Sequence, residues 1–222
     1  MFKQIFNLFK SDSLYEQALN QCFEMLDTDL LMFNESIKSL RESNTIDIPI
    51  DIFEMDKKIN QFERDVRRKV MTHLAVSGTE DLGSGLVLIS VVVDIERIGD
   101  YTKNIYELAI NHPKKLQGFS FEKDLLQIEI NTRNLFNDTI KTFKNQNLEE
   151  ARKIMKDYKK GISKQCDEIT NTIISSELDI DANSAAAIAL YSRYLKRISA
   201  HSRNLISSIV NPFERIGYPE EK

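Results

Sequence analysis

Four acidic side chains stand at spacings that could build a cation site. Glu96 and Asp100 are four residues apart, hence about 40° apart around a helix and stacked one turn over the other. Asp56 and Glu63 are seven apart, about 20° offset after two turns. If the two helices that carry them are antiparallel neighbours, the pairs converge into a cage of carboxylate oxygens. Such a cage suits hard or borderline cations such as iron, manganese, magnesium or zinc. The alternative is a salt-bridged face, since Arg97 and Lys103 can neutralise the same carboxylates without a metal. Ile95, Ile98, Thr102 and Ile105 form an apolar stripe, and Glu96 and Asp100 lie roughly opposite it. Upstream, however, Leu86, Ile89 and Val93 share the acidic face. The helix is therefore covered on two sides, and acids on a covered face need partners.

The elements that position these residues are long helices. Apolar residues recur with a 3.6-residue period from about Ser13 to Glu42 (Leu14, Ala18, Cys22, Met25, Leu26, Leu30, Phe33, Ile37, Leu40), with Ser11 to Ser13 as cap candidates. A second helix is expected over 49–76, with Pro49 in its first turn and Gly78 at its exit, and a third over 80–111, ended by Pro113. Three more follow over 121–145, 148–177 and 181–210. Long helices on short loops make antiparallel bundles. The two halves resemble each other: Glu96-Arg-Ile-Gly-Asp100-Tyr-Thr-Lys-Asn104-Ile105 is echoed one hundred residues on by Lys196-Arg-Ile-Ser-Ala200-His-Ser-Arg-Asn204-Leu205. The predicted fold is all-α, two tandem pseudo-symmetric antiparallel three-helix bundles. Its parts are an amphipathic N-terminal segment at 1–11, a first repeat at 12–112, a second at 119–211 and a tail at 212–222.

Composition narrows the function classes. With 7 Gly and 4 Pro in 222 residues there is too little turn chemistry for a sandwich of short strands. A net charge of −4 and pI near 5.5 make direct nucleic-acid binding an unfavoured reading. Two distant cysteines, Cys22 and Cys166, suit a reduced cytoplasmic chain without a disulfide framework. The longest apolar run, Leu86 to Val93, falls far short of the roughly 20 residues that span a bilayer. The N-terminal Phe2, Ile5, Phe6 and Phe9 form a short amphipathic element, for docking on the bundle itself or on a membrane or transporter. No phosphate-binding glycine loop, nucleophile elbow or Glu-x-x-His pair is present. Gly99, between the two acids, either lets a neighbour approach closely or is tolerated at a small cost.

Asp94-Ile-Glu-Arg-Ile-Gly-Asp100 followed by Asn104-Ile105 resembles the signature of the PhoU family. Asp56 and Glu63 match an acidic pair on the family's second helix, Glu80-Asp81-Leu82 matches the opening of its third, and residues 12–211 fit its six-helix plan. The resemblance implies a cytoplasmic, non-enzymatic regulator of phosphate transport and signalling that contacts a phosphate transporter or its cytoplasmic subunit. In many bacteria it also implies a sensor kinase as partner, and a homodimer is expected. It implies as well a multinuclear cluster of iron, zinc or manganese, here on Asp56, Glu63, Glu96 and Asp100 with Asp94 as an addition. The second half departs from that pattern: Lys196 takes the Glu96 slot, Ala200 the Asp100 slot, and Lys164 the Glu63 slot, seven residues after Asp157. Two lysines repel a cation, so the second site is expected to be lost, with a Lys–Asp157 ion pair in its place. His201 reads as a surface or capped residue rather than a ligand. The tail Pro212-Phe-Glu-Arg-Ile-Gly-Tyr218 repeats part of the motif and reads as a packing extension that could also dock a partner. Two rival readings are a metal-dependent enzyme using the carboxylates to activate water, and a metal-free helical scaffold.

Overall fold

The structure is a computed structural model and describes residues 13–43, 48–112, 114–157 and 161–220, without the side chains of 78 and 79. Among the described residues the regular elements are helical. Helix α1 spans Leu14–Arg41, α2 Ile52–Ser77 and α3 Leu82–Asn111, forming the first bundle. Helix α4 spans Glu122–Asn145, α5 Leu148–Asp157, α6 Ile162–Ser175 and α7 Ala182–Val210, forming the second. The N-terminal amphipathic segment expected at 1–11 lies outside the described residues.

Local chemistry sets the helix starts. Ser13 caps α1, its hydroxyl accepting from the Glu16 amide at 3.1 Å in a Ser-x-x-Glu arrangement. Asp51 caps α2 by accepting from the Glu54 amide at 3.0 Å, so Pro49 precedes the helix instead of opening it. Asp181 caps α7 through the Ser184 amide at 3.0 Å. The single helix expected over 148–177 is broken into α5 and α6. Gly161, at the start of α6, has φ of +146°, a backbone conformation that side-chain-bearing residues rarely adopt.

Two long central helices, α3 and α7, pack against each other and join the halves, with α1 also touching α4. Edge-to-face pairs Phe33–Phe136 and Phe23–Phe143, each about 6.0 Å between centroids, knit α1 to α4 within one continuous core. At the last turn of α1 the nearly buried Arg41 donates to Glu129 at 2.7 Å, to Glu122 at 2.6 Å and to the Leu116 carbonyl. A second polar link crosses from α3 to α7: Asp94 Oδ1 bonds His201 Nδ1 at 2.7 Å and accepts from Asn204 at 2.8 Å. The tail folds back on α7, where Asn211 donates to the Arg215 and Tyr218 carbonyls, and Arg152 of α5 grips Glu220 at 2.8 Å.

Candidate functional site

Asp56 and Glu63 project from α2 and Glu96 and Asp100 from α3, and the two helices are packed neighbours in the first bundle. The four carboxylates do come together: the charges of Glu63, Asp56 and Asp100 all bear on Glu96. A fifth acid joins them from α1. Asp29 has no solvent exposure, and among the described residues neither carboxyl oxygen has a hydrogen-bond partner. Its Oδ1 is aimed at Gly99, the residue between Glu96 and Asp100. A Cβ placed there would lie 2.7 Å from that oxygen. Gly99 is therefore a close-approach glycine, and what approaches it is an acid.

Sequence reasoning missed Asp29 although its signal was present. Cys22, Met25, Leu26 and Phe33 define the buried stripe of α1, and Asp29 lies in phase with them, four residues from both Met25 and Phe33. An acid in register with an apolar stripe is buried, and it stands out only if polar residues are counted on that stripe as well.

Three cations attend the cluster. Lys103 donates to Asp56 Oδ2 at 2.8 Å and to Asp100 Oδ1 at 3.3 Å, bridging α2 and α3. Arg97 donates to Asp100 at 2.9 Å and lies 3.5 Å from Glu96, while Arg67 pairs with Glu63 at 2.7 Å. No three acids, histidines or cysteines among the described residues converge on one ion position. Charge still runs in excess, because three cations face five acids. Burial, reinforced by Asp56, Glu96 and Asp100, pushes the Asp29 carboxyl well above the usual carboxylate range. Burial, and next Asp100, raise Glu96 from 4.5 to about 6 against the pull of Arg97. Burial opposes the charge of Lys103, but Asp56 and Asp100 outweigh it and raise its pKa. The cluster thus sets a buried carboxyl with no donor among the described residues beside further carboxyls, the oxygen chemistry that hard cations take, with Lys103 on two of those oxygens.

Asp94 stands apart. It is six residues before Asp100 and about 200° from Glu96 around the helix, so it faces α7 and meets His201 and Asn204 instead of the other acids. His201 is correspondingly buried, stacked on Tyr101 at 5.8 Å and within 3.3 Å of the Arg197 guanidinium, and not a surface residue. In the second bundle Lys196 pairs with Asp167 at 2.6 Å and Lys164 with Glu168 at 3.4 Å. The break at Gly161 restarts the helix, and α6 presents Asp167 to α7. Where the first bundle sets Asp29 against Gly99, the second sets Thr132 against Ser199, their hydroxyls 3.1 Å apart. A cavity of about 310 Å³ lies elsewhere in the second bundle, lined by Asn131, Asn134, Asp138, Glu150, Lys153 and Asp157 among others.

Among the described residues no helix is long and apolar enough to cross a membrane. Comparison with known proteins bears on the fold and the family. The chain is 23% identical over 218 residues to the phosphate-specific transport system accessory protein PhoU homolog 1 of Thermotoga maritima, covering 94% of this chain and 87% of that protein. It is 21% identical over 209 residues to the PhoU homolog of Clostridium acetobutylicum, covering 91% and 87%. In fold it is similar to the crystal structure of PhoU from Pseudomonas aeruginosa, with a TM-score of 0.72 at 19% identity over 89% of this chain and 95% of that one. The phosphate transport system regulatory protein PhoU from Streptococcus pneumoniae gives a TM-score of 0.67 at 18% identity, covering 95% of both chains. The PhoU domain profile matches residues 10–109 and again 127–209, one match on each bundle, and the chain belongs to the PhoU family.

Proposed function

We propose that this protein is a cytoplasmic accessory regulator of inorganic phosphate transport. It acts through contact with a phosphate transporter or that transporter's cytoplasmic subunit, and not through catalysis of its own. The observation that carries this reading is the double family match, one on each bundle, with relatives named as accessory proteins of phosphate-specific transport. Helical faces on two joined bundles offer large rigid surfaces for such contacts and for pairing into a homodimer. A sensor kinase is a second partner for the same surfaces. The first-bundle acids, Asp56, Glu63, Glu96 and Asp100, form a site for iron, zinc or manganese. The ion would supply charge neutralisation that ties α2 to α3. The second bundle, with Lys196 and Ala200 in the matching slots, holds no equivalent.

The test is uptake of radiolabelled phosphate in cells lacking the protein, together with site-specific crosslinking from α1, α4 and α7 to the transporter. Altered uptake restored by the full chain, with crosslinks to a transporter component, is the expected result. Unchanged uptake under both phosphate starvation and excess, with no crosslink, overturns the proposal. Elemental analysis of protein purified without chelators decides the cation.

A further inference from the structure

We propose that Asp29 is the deepest ligand of the first-bundle cation site and that Lys103 is a competitor built into the chain, occupying the oxygens a divalent cation must take. This rests on the cation reading above and adds two residues to it, one from a third helix. Asp29 is fully buried on α1, and neither of its oxygens accepts a hydrogen bond from the described residues. The polar groups bearing on it, Asp56, Glu96 and Asp100, are themselves acids. A carboxyl removed from water with no donor is costly, and a shared cation is the arrangement that satisfies it together with its neighbours.

The backbone is shaped for this approach. Gly99 leaves open the space into which Asp29 Oδ1 reaches, beneath the turn of α3 that carries Glu96 and Asp100. The second bundle supplies an internal control. There Thr132 and Ser199 close the corresponding space with a neutral hydroxyl pair, and Lys196 and Ala200 replace the two motif acids. The deep acid and the rim acids are lost together, as expected of parts of one site.

Lys103 Nζ bridges Asp56 Oδ2 and Asp100 Oδ1 at 2.8 and 3.3 Å. A transition-metal ion binds a carboxylate oxygen at about 2.0–2.2 Å, so an ammonium on the same oxygens would sit in strong like-charge contact with it. The lysine side chain is one-fifth exposed on a flexible four-carbon stem and can swing into solvent. Binding is thus an exchange of one cation for another, and the lysine sets the affinity.

Titration calorimetry with Mn²⁺ on the chelator-treated full chain tests this, using the parent, Asp29→Asn, Lys103→Met and Lys144→Met. Lys144 pairs with Asp27 outside the cluster and controls for net charge. Asp29→Asn should weaken binding roughly tenfold or more, and Lys103→Met should tighten it by about tenfold, each tenfold step being 1.4 kcal/mol. Lys144→Met should leave it unchanged. If the parent binds no Mn²⁺, Zn²⁺ or Fe²⁺, the cation reading falls and this inference with it. If the parent binds and Asp29→Asn binds equally well, or Lys103→Met is no tighter than Lys144→Met, the inference alone is overturned. Circular dichroism confirms that each variant is folded; should Asp29→Asn fail to fold, the lysine pair decides.

Discussion

Gly99→Ser copies onto the first bundle the residue found at the matching place in the second. On an open helix this change is stabilising by about 0.5 kcal/mol, since glycine is a poor helix former. Here the new Cβ lies 2.7 Å from Asp29 Oδ1 and 3.2 Å from Ile59 Cδ1, and both neighbours are fully enclosed. Overpacking of this kind costs about 1–3 kcal/mol, which exceeds the propensity gain. For a chain of this length a loss of about 1–2 kcal/mol lowers Tm by about 2–8 °C. Asp29→Thr removes the oxygen that causes the clash and, with Ser at 99, recreates the hydroxyl pair seen at Thr132 and Ser199. The double variant should therefore be more stable than the two single effects summed, with a coupling of about 0.5–3 kcal/mol. Urea unfolding followed by circular dichroism measures all four corners of the cycle. Gly99→Ser at least as stable as the parent, or effects additive within about 0.5 kcal/mol, would refute the close-approach reasoning.

The remaining predictions concern the ionisable groups. Because Glu96 is raised from 4.5 to about 6, the folded state holds its proton more tightly, so this group's contribution to stability falls as pH rises between those values. Glu96→Gln should flatten that part of a pH–stability profile, and an unchanged slope would contradict the assignment. Arg41→Met leaves the nearly buried Glu129 without its partner and should cost about 3 kcal/mol or more in chemical unfolding, whereas a loss below about 1 kcal/mol would show the pair to be dispensable. Asp94→Ala removes the acceptor for both His201 and Asn204 at the α3–α7 contact and should cost about 1–3 kcal/mol. It should also leave Mn²⁺ affinity within twofold of the parent, because Asp94 faces away from the other acids; a larger loss of affinity would return it to the cluster.

The all-helical plan, the division into two similar halves and the placing of Asp56 and Glu96 on neighbouring helices are legible in the sequence. Each depends on local periodicity, where residues a few positions apart share a face once a helix forms. The signature around Glu96 to Asp100 carried the family resemblance for the same reason, since a motif lying on one helix keeps its geometry wherever that helix packs. Helix ends were less legible, because capping turns on single hydrogen bonds, as Asp51 and Gly161 show.

What required the tertiary structure was the side of each helix that meets another and the element it meets. Asp94 and Glu96 are two residues apart, yet one seals the junction with α7 and the other belongs to the acidic cluster. Asp29 lies far from both in sequence, and only the packing of α1 beneath Gly99 makes it part of the site. Lys196 was readable as a lysine in an acid's place, but its partner Asp167 depended on how α6 restarts after Gly161. Periodicity along one helix is a local property of the chain. Contacts between helices far apart in sequence are set by how whole faces pack, and that is where this chain's deep acid and its bundle junction were decided.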